Sequence, residues 1–163
     1  MTKEQMNLDE VEIRIAAKPR YLCVARSAIR QVTDIAGLSE SDSDGVILAL
    51  EEALANSIRH GYGGSCDKPI IIRVFKEAVG QGGQEGLVAI VRDFGRQVDP
   101  ASIKSRDLED VRPGGLGVHI INSVMDEVEY SCPAEGGMQL RMVKYFAPSQ
   151  ASDDASDVKT SCG

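Results

Sequence analysis

The chain has 163 residues, one domain's worth and enough to bury a core without metal or disulfide help. Eighteen Lys and Arg stand against 25 Asp and Glu, a net charge of −7, which argues against a charge-driven grip on nucleic acid. With 4 % aromatic residues and no Trp, stacking platforms for single strands are not expected either. The apolar runs fall far short of a membrane span, and the polar first ten residues show no signal-type stretch, so a cytoplasmic protein is expected. Cys23, Cys66, Cys132 and Cys162 form no CxxC and no pairing with His60 or His119, which leaves free thiols and no zinc site as the expectation.

In chain order, Val11 to Ala16 alternate apolar and polar as an edge or half-buried strand does. Leu22, Ala25, Ile29, Val32 and Ile35 recur at helical spacing from Tyr21 to Ile35, and Gly37 is placed to end that helix. The N-cap cluster Ser41-Asp42-Ser43-Asp44 opens a second helix, with Val46, Ile47, Leu50, Leu54 and Ile58 on one stripe and a stop near Gly61-Tyr62-Gly63-Gly64. Strands are expected at Ile70 to Phe75 and Leu87 to Val91, joined by the turn Gly80-Gln81-Gly82-Gly83.

From Arg96 to Gly114 apolar periodicity is lost, which predicts a long mobile segment with at most one short helix. Leu116 to Met125 recovers helical spacing, and strands at Val128 to Ser131 and Met138 to Phe146 close the fold. After Ala147 the Ser/Asp/Ala-rich composition predicts a disordered tail, 147–163, behind a domain spanning 11–146.

Three segments carry possible chemistry. Glu52 and Asn56 stand four apart and share a helix face roughly opposite the apolar stripe, with Ala49, Ala53 and Ala55 leaving room beside them. A carboxylate one turn from an amide oxygen suits an activated water or a hard cation such as Mg2+, though the commoner reading is a solvated face. Val91-Arg92-Asp93-Phe94-Gly95 ends a strand on a carboxylate that accepts from an exocyclic amine and a glycine that lets a planar ring approach; its plainer reading is a turn. The same triplet occurs in eukaryotic-type protein kinases, but no His-Arg-Asp loop precedes it here. Arg112-Pro113-Gly114-Gly115-Leu116-Gly117-Val118 precedes a helix, where freed N–H groups and the helix dipole favour phosphate; a flexible hinge is equally consistent. It completes neither a dinucleotide fingerprint nor a P-loop.

In this order and spacing the three segments resemble the N, G1 and G2 boxes of the GHKL ATPase superfamily, with its histidine kinase-like ATPase fold. Within it, "EEALANSIRHGYGG", "VRDFGRQVDP" and "RPGGLGVHIINSVMDEVEY" are similar to the bacterial anti-sigma-factor serine kinases of the RsbW and SpoIIAB type. The resemblance implies an α/β two-layer sandwich, a mixed sheet covered on one face by helices in the Bergerat manner, with residues 96–114 as a lid over ATP. It implies Glu52 as the general base that activates a substrate serine, and Asn56 as the Mg2+ ligand. Asp93 would bind the adenine amine, with Gly95 under the base and Gly115, Leu116 and Gly117 near the phosphates. The implied activity is ATP-dependent phosphorylation of a STAS-domain anti-anti-sigma factor, alternating with capture of a sigma factor, by a homodimer acting on neither nucleic acid nor membrane. The alternatives are a nucleotide-binding partner-switch module without transfer, and an acidic interaction domain without nucleotide.

The chain departs from the family pattern at Gln97, where a second glycine is usual, and at Gly137-Met138, where Gly-Thr is usual, so a hydroxyl contact is missing or supplied elsewhere. An arginine directly beside the glycines could reach a γ-phosphate, but Pro113 separates Arg112 from them and shifts the register. A phosphoacceptor role for His60 would need a dimerisation hairpin ahead of the first strand, so His60 is read as a helix-end cap and His119 as packing.

Overall fold

The computed structural model describes residues 9–79, 82–103 and 115–147. Strand β1 (Val11–Ala16) leads into helix α1 (Leu22–Ala36) and helix α2 (Glu40–Asn56), then strands β2 (Pro69–Val79) and β3 (Gln84–Asp93). Helix α3 (Leu116–Val124) and the hairpin of β4 (Glu127–Ser131) and β5 (Gln139–Tyr145) complete it. The tail and residues 104–114, including Arg112, lie outside the described residues.

Local chemistry sets the boundaries. Gly37, at φ +83°, takes the left-handed C-cap of α1 and donates to the carbonyls of Thr33 and Asp34. The cap of α2 is Ser39, two residues ahead of the expected cluster: its hydroxyl accepts from the Asp42 N–H at 3.1 Å. Glu40 and Asp42 then fill the first turn, where carboxylates meet the positive end of the helix dipole. On α1 the buried stripe is Ala25, Ile29, Thr33 and Ala36, so Ile35 falls off it and stands 84 % exposed. The Thr33 hydroxyl is satisfied within the helix by the Arg30 carbonyl, which lets a polar residue occupy the stripe.

The strands form one five-stranded sheet in the order β1-β2-β3-β5-β4. The two-layer α/β sandwich is borne out, but each of the four pairings is antiparallel, where a mixed sheet was expected. The connections explain it. With two helices between β1 and β2 the chain turns back three times and β2 runs antiparallel to β1, while the single helix between β3 and β4 makes those two strands run the same way with β5 inserted between them. Ile70, Ile72, Val74, Leu87, Ala89, Val91, Leu140 and Met142 face the helices and merge with Ile29, Val46, Leu50, Leu54, Ile58 and Ile121 in one core. Burying each such Ile or Leu contributes about 1.5–3 kcal/mol. The opposite face carries a smaller cluster of Val79, Val88 and Val143. Helix α2 runs between α1 and α3 over the sheet, which buries Ala49 and Ala53 as well as the apolar stripe. No helix among the described residues is long and apolar enough to cross a membrane.

Candidate functional site

The end of α2, the turn after it, the end of β3, the start of α3 and the β4–β5 hairpin enclose a cavity of about 320 Å³. Its wall includes Asn56, Ser57, Asp93, Gly117, Tyr130 and Met138.

Asp93 stands at one end, only 4 % exposed. Its Oδ2 accepts from the Ser57 hydroxyl at 2.9 Å, and its Oδ1 from the N–H groups of Gly95 at 3.0 Å and Met138 at 3.3 Å. A buried carboxylate needs such donors, because an unsatisfied one would be strongly disfavoured. Three glycines permit the packing around it. A Cβ on Gly61 would lie 3.1 Å from Asp93 Oδ2, one on Gly95 2.2 Å from the Gly61 carbonyl oxygen, and one on Gly137 2.0 Å from the Asp93 carbonyl oxygen. Arg92 fastens the neighbouring loop by donating to the carbonyls of Asp93, Gly136 and Met138.

Ser57 caps α2 in helical conformation, its N–H donating to the Ala53 and Leu54 carbonyls, and the chain beyond it does not continue as an α-helix. Residues Ser57–Gly61 form a π turn, closed by the Tyr62 N–H donating to the Ser57 carbonyl at 2.9 Å. Tyr62 then ties the turn to both neighbouring strands: its hydroxyl accepts from the Phe94 N–H at 2.8 Å and donates to the Pro69 carbonyl. Burial pushes the Tyr62 phenol above its usual range.

At the other end, α3 begins at Gly115, whose φ of +91° suits glycine, and Gly117 lies against α2. A Cβ on Gly117 would sit 2.7 Å from Glu52 Oε2 and 3.2 Å from Asn56 Nδ2. The pair expected to look outward is therefore turned toward the N-terminus of α3, with the Glu52 side chain 27 % exposed. Arg59 extends the same face, 4.0 Å from Glu52 Oε2, its Nε donating to the Ala55 carbonyl at 3.3 Å.

The structure thus brings together Glu52, Asn56, Asp93, Gly95, Gly115 and Gly117, which lie up to 65 positions apart in the chain. Leu116 is 59 % exposed and is not among the wall residues. The Gln97 side chain donates to the Pro133 carbonyl at 2.9 Å, and Met138 contributes its backbone N–H to Asp93. The side-chain hydroxyl that meets Asp93 comes from Ser57. Sequence reasoning passed over Ser57, although it directly follows Asn56, because ordinary helical spacing does not aim position 57 at position 93. His60 is exposed and lines the cavity, while the helix-end carbonyl contact is made by Arg59.

The donor set fits a nucleotide and Mg2+. The Tyr130 hydroxyl, in the cavity wall, is buried without a hydrogen-bond partner among the described residues, and burial pushes its pKa up. Glu52 and Asn56 offer hard oxygen donors beside a helix N-terminus, as a cation sharing its ligands with phosphates requires.

The profile of the family described as histidine kinase-like ATPase domain matches residues 15–144. The chain is 26 % identical over 160 residues to the serine-protein kinase RsbW of Listeria monocytogenes, covering 93 % of this chain and 97 % of that protein. It is 27 % identical over 165 residues to the RsbW of Staphylococcus aureus, covering 96 % and 99 %. Among solved structures, the fold matches the SiaB–SiaC complex from Pseudomonas aeruginosa with a TM-score of 0.60 at 16 % identity, over 82 % of this chain and 88 % of that one. It also matches a Mycobacterium tuberculosis chain of RsbU and RsbW domains with a TM-score of 0.57 at 18 % identity, over 85 % of this chain and 33 % of that longer one.

Proposed function

Because the chain belongs to the histidine kinase-like ATPase domain family, we propose that it is an ATP-dependent protein serine kinase of the anti-sigma-factor type. Its protein substrate would be a STAS-domain anti-anti-sigma factor, and in the alternate state it would sequester a sigma factor, as a cytoplasmic homodimer. The observation that carries this reading is the pairing of Glu52 and Asn56 against Gly117, across the cavity from a buried Asp93 that keeps an acceptor site on Oδ2.

Asp93 would accept the amine of the adenine base, with Gly61 and Gly95 letting the backbone close tightly around it. Gly115 and Gly117 would leave N–H groups of the α3 N-terminus free for phosphate oxygens, and Asn56 Oδ1 would hold Mg2+. Bound Mg-ATP supplies the phosphoryl group and the cation that neutralises its charge. Glu52 would take the proton of the incoming serine hydroxyl, and Arg59 would position its carboxylate. The short reach from Glu52 to Asn56, one helical turn, would set the base beside the metal ligand without a further element.

Calorimetric titration of Mg-ATP into the protein and into Asn56→Ala tests the site. Mg-dependent binding that weakens at least about tenfold in the variant is expected, as for loss of a charge-supporting ligand worth about 1.4 kcal/mol or more. A folded wild-type protein that binds no nucleotide would sink the kinase reading.

A further inference from the structure

Resting on that nucleotide reading, we propose that Ser57 sets the choice of base, making the Asp93 end of the cavity accept a 6-amino purine and refuse a 2-amino-6-oxo purine. A carboxylate alone discriminates poorly between them. It accepts from the exocyclic amine of adenine, and it accepts equally well, through both oxygens at once, from the adjacent N1–H and 2-amino N–H of guanine. The outcome turns on how many lone pairs remain open.

A carboxylate offers about four acceptor sites. At Asp93, Oδ1 takes the N–H groups of Gly95 at 3.0 Å and Met138 at 3.3 Å, and Oδ2 takes the Ser57 hydroxyl at 2.9 Å. One site is left, on Oδ2. A single amine N–H fits it, whereas the guanine fork needs an open lone pair on each oxygen. Ser57 adds a second penalty. Its only proton is directed at Asp93, so toward the cavity it presents lone pairs alone, and a 6-oxo group there meets an acceptor. Both residues are buried, Ser57 at 8 % and Asp93 at 4 % exposure, so little water is at hand to soften the mismatch.

The placement of Ser57 is over-determined. Its N–H donates to the carbonyls of Ala53 and Leu54, and its own carbonyl is held by Tyr62 through the π turn, so the side chain has little freedom to leave Asp93. Among the described residues it is the side-chain hydroxyl that meets this carboxylate, since Met138 brings only a thioether and a backbone N–H.

The test is a titration of Mg-ADP and Mg-GDP into the wild-type protein, Ser57→Ala and Ser57→Thr, with a thermal melt of each. The wild-type protein should favour ADP, by about tenfold or more for a mismatch of one to two hydrogen bonds. In Ser57→Ala the ratio should fall by about fivefold, because the lone pairs that oppose a 6-oxo group are gone while Oδ1 stays filled by the Gly95 and Met138 N–H groups. Ser57→Thr keeps the hydroxyl and should hold the wild-type ratio. An ADP-to-GDP ratio in folded Ser57→Ala equal to that of the wild type overturns the assignment while leaving the nucleotide site standing. A ratio that falls in folded Ser57→Thr as far as in Ser57→Ala assigns the effect to packing and overturns it too. A folded wild type that binds neither nucleotide overturns the nucleotide reading, and this inference with it.

Discussion

The two ends of the cavity are built in opposite ways. Around Asp93 the groups are buried, hydrogen-bonded to one another and packed so closely that three glycines have no room for a methyl group. Around Glu52 and Asn56 the side chains are half-exposed, and the ion pair to Arg59 spans 4.0 Å with the arginine 61 % exposed. The first arrangement suits recognition of a rigid, planar group whose donors must meet fixed acceptors. The second suits groups whose partners arrive with the substrate: a base must meet a hydroxyl, and a metal ligand must share its ion with phosphates. On the proposed reading, order is concentrated where selectivity is needed, and exposure is kept where chemistry is done.

The largest effect that would sharpen this contrast is at the open end. Glu52→Gln should lower phosphoryl transfer by about 10²- to 10⁴-fold while nucleotide still binds, measured by mass spectrometry of a serine-bearing partner and by calorimetry. Glu51→Ala is the control: Glu51 pairs with Arg26 on α1, away from the cavity, and transfer should persist. Equal losses in both variants would break the assignment of the base.

Next comes the closed end. Gly137→Ala places a methyl group 2.0 Å from the Asp93 carbonyl oxygen at a φ of +70°, so backbone must move. A loss of about 2–4 kcal/mol in urea unfolding is expected, the range of overpacking and left-handed strain combined. A change under about 0.5 kcal/mol would show that this end is less tightly built than the contacts imply.

The smallest effect is a reference outside both ends. Glu10 is held below the usual carboxylate range by its hydrogen bond to Arg73, with burial opposing and the Arg73 charge assisting. A folded-state pKa that is lowered adds stability above the unfolded value and loses it as pH falls through the folded one. Glu10→Gln should therefore cost about 0.5–1 kcal/mol at pH 7, and the gap from the wild type should close as pH drops below about 4. A gap unchanged at acid pH would mean that the pair acts through packing and not charge.

Much of the fold was legible because its elements follow local rules. The alternation at Val11–Ala16 and the glycine at 37 mark real boundaries, and the apolar stripe of α2 lies in the core. The site was legible in part for the same reason: Glu52 and Asn56 fall on one face by spacing alone, and Asp93 and Gly95 end a strand. Ile35 was misplaced because helical spacing names a period, and the angle at which α1 meets its neighbours decides which residues of that period face inward. The outward view expected for Glu52 and Asn56 fails similarly, since α3 arrives from 60 positions later to cover them.

By itself the sequence determined the elements, their caps and the residue types set aside for chemistry, because hydrophobic period, glycine and capping side chains act over a few residues. Only the tertiary structure decided that every strand pairing is antiparallel, that Ser57 meets Asp93, and that Gly61, Gly95 and Gly137 are required by contact. Those outcomes depend on distances between segments tens of residues apart, and such distances are fixed by how the faces pack, which no local pattern encodes.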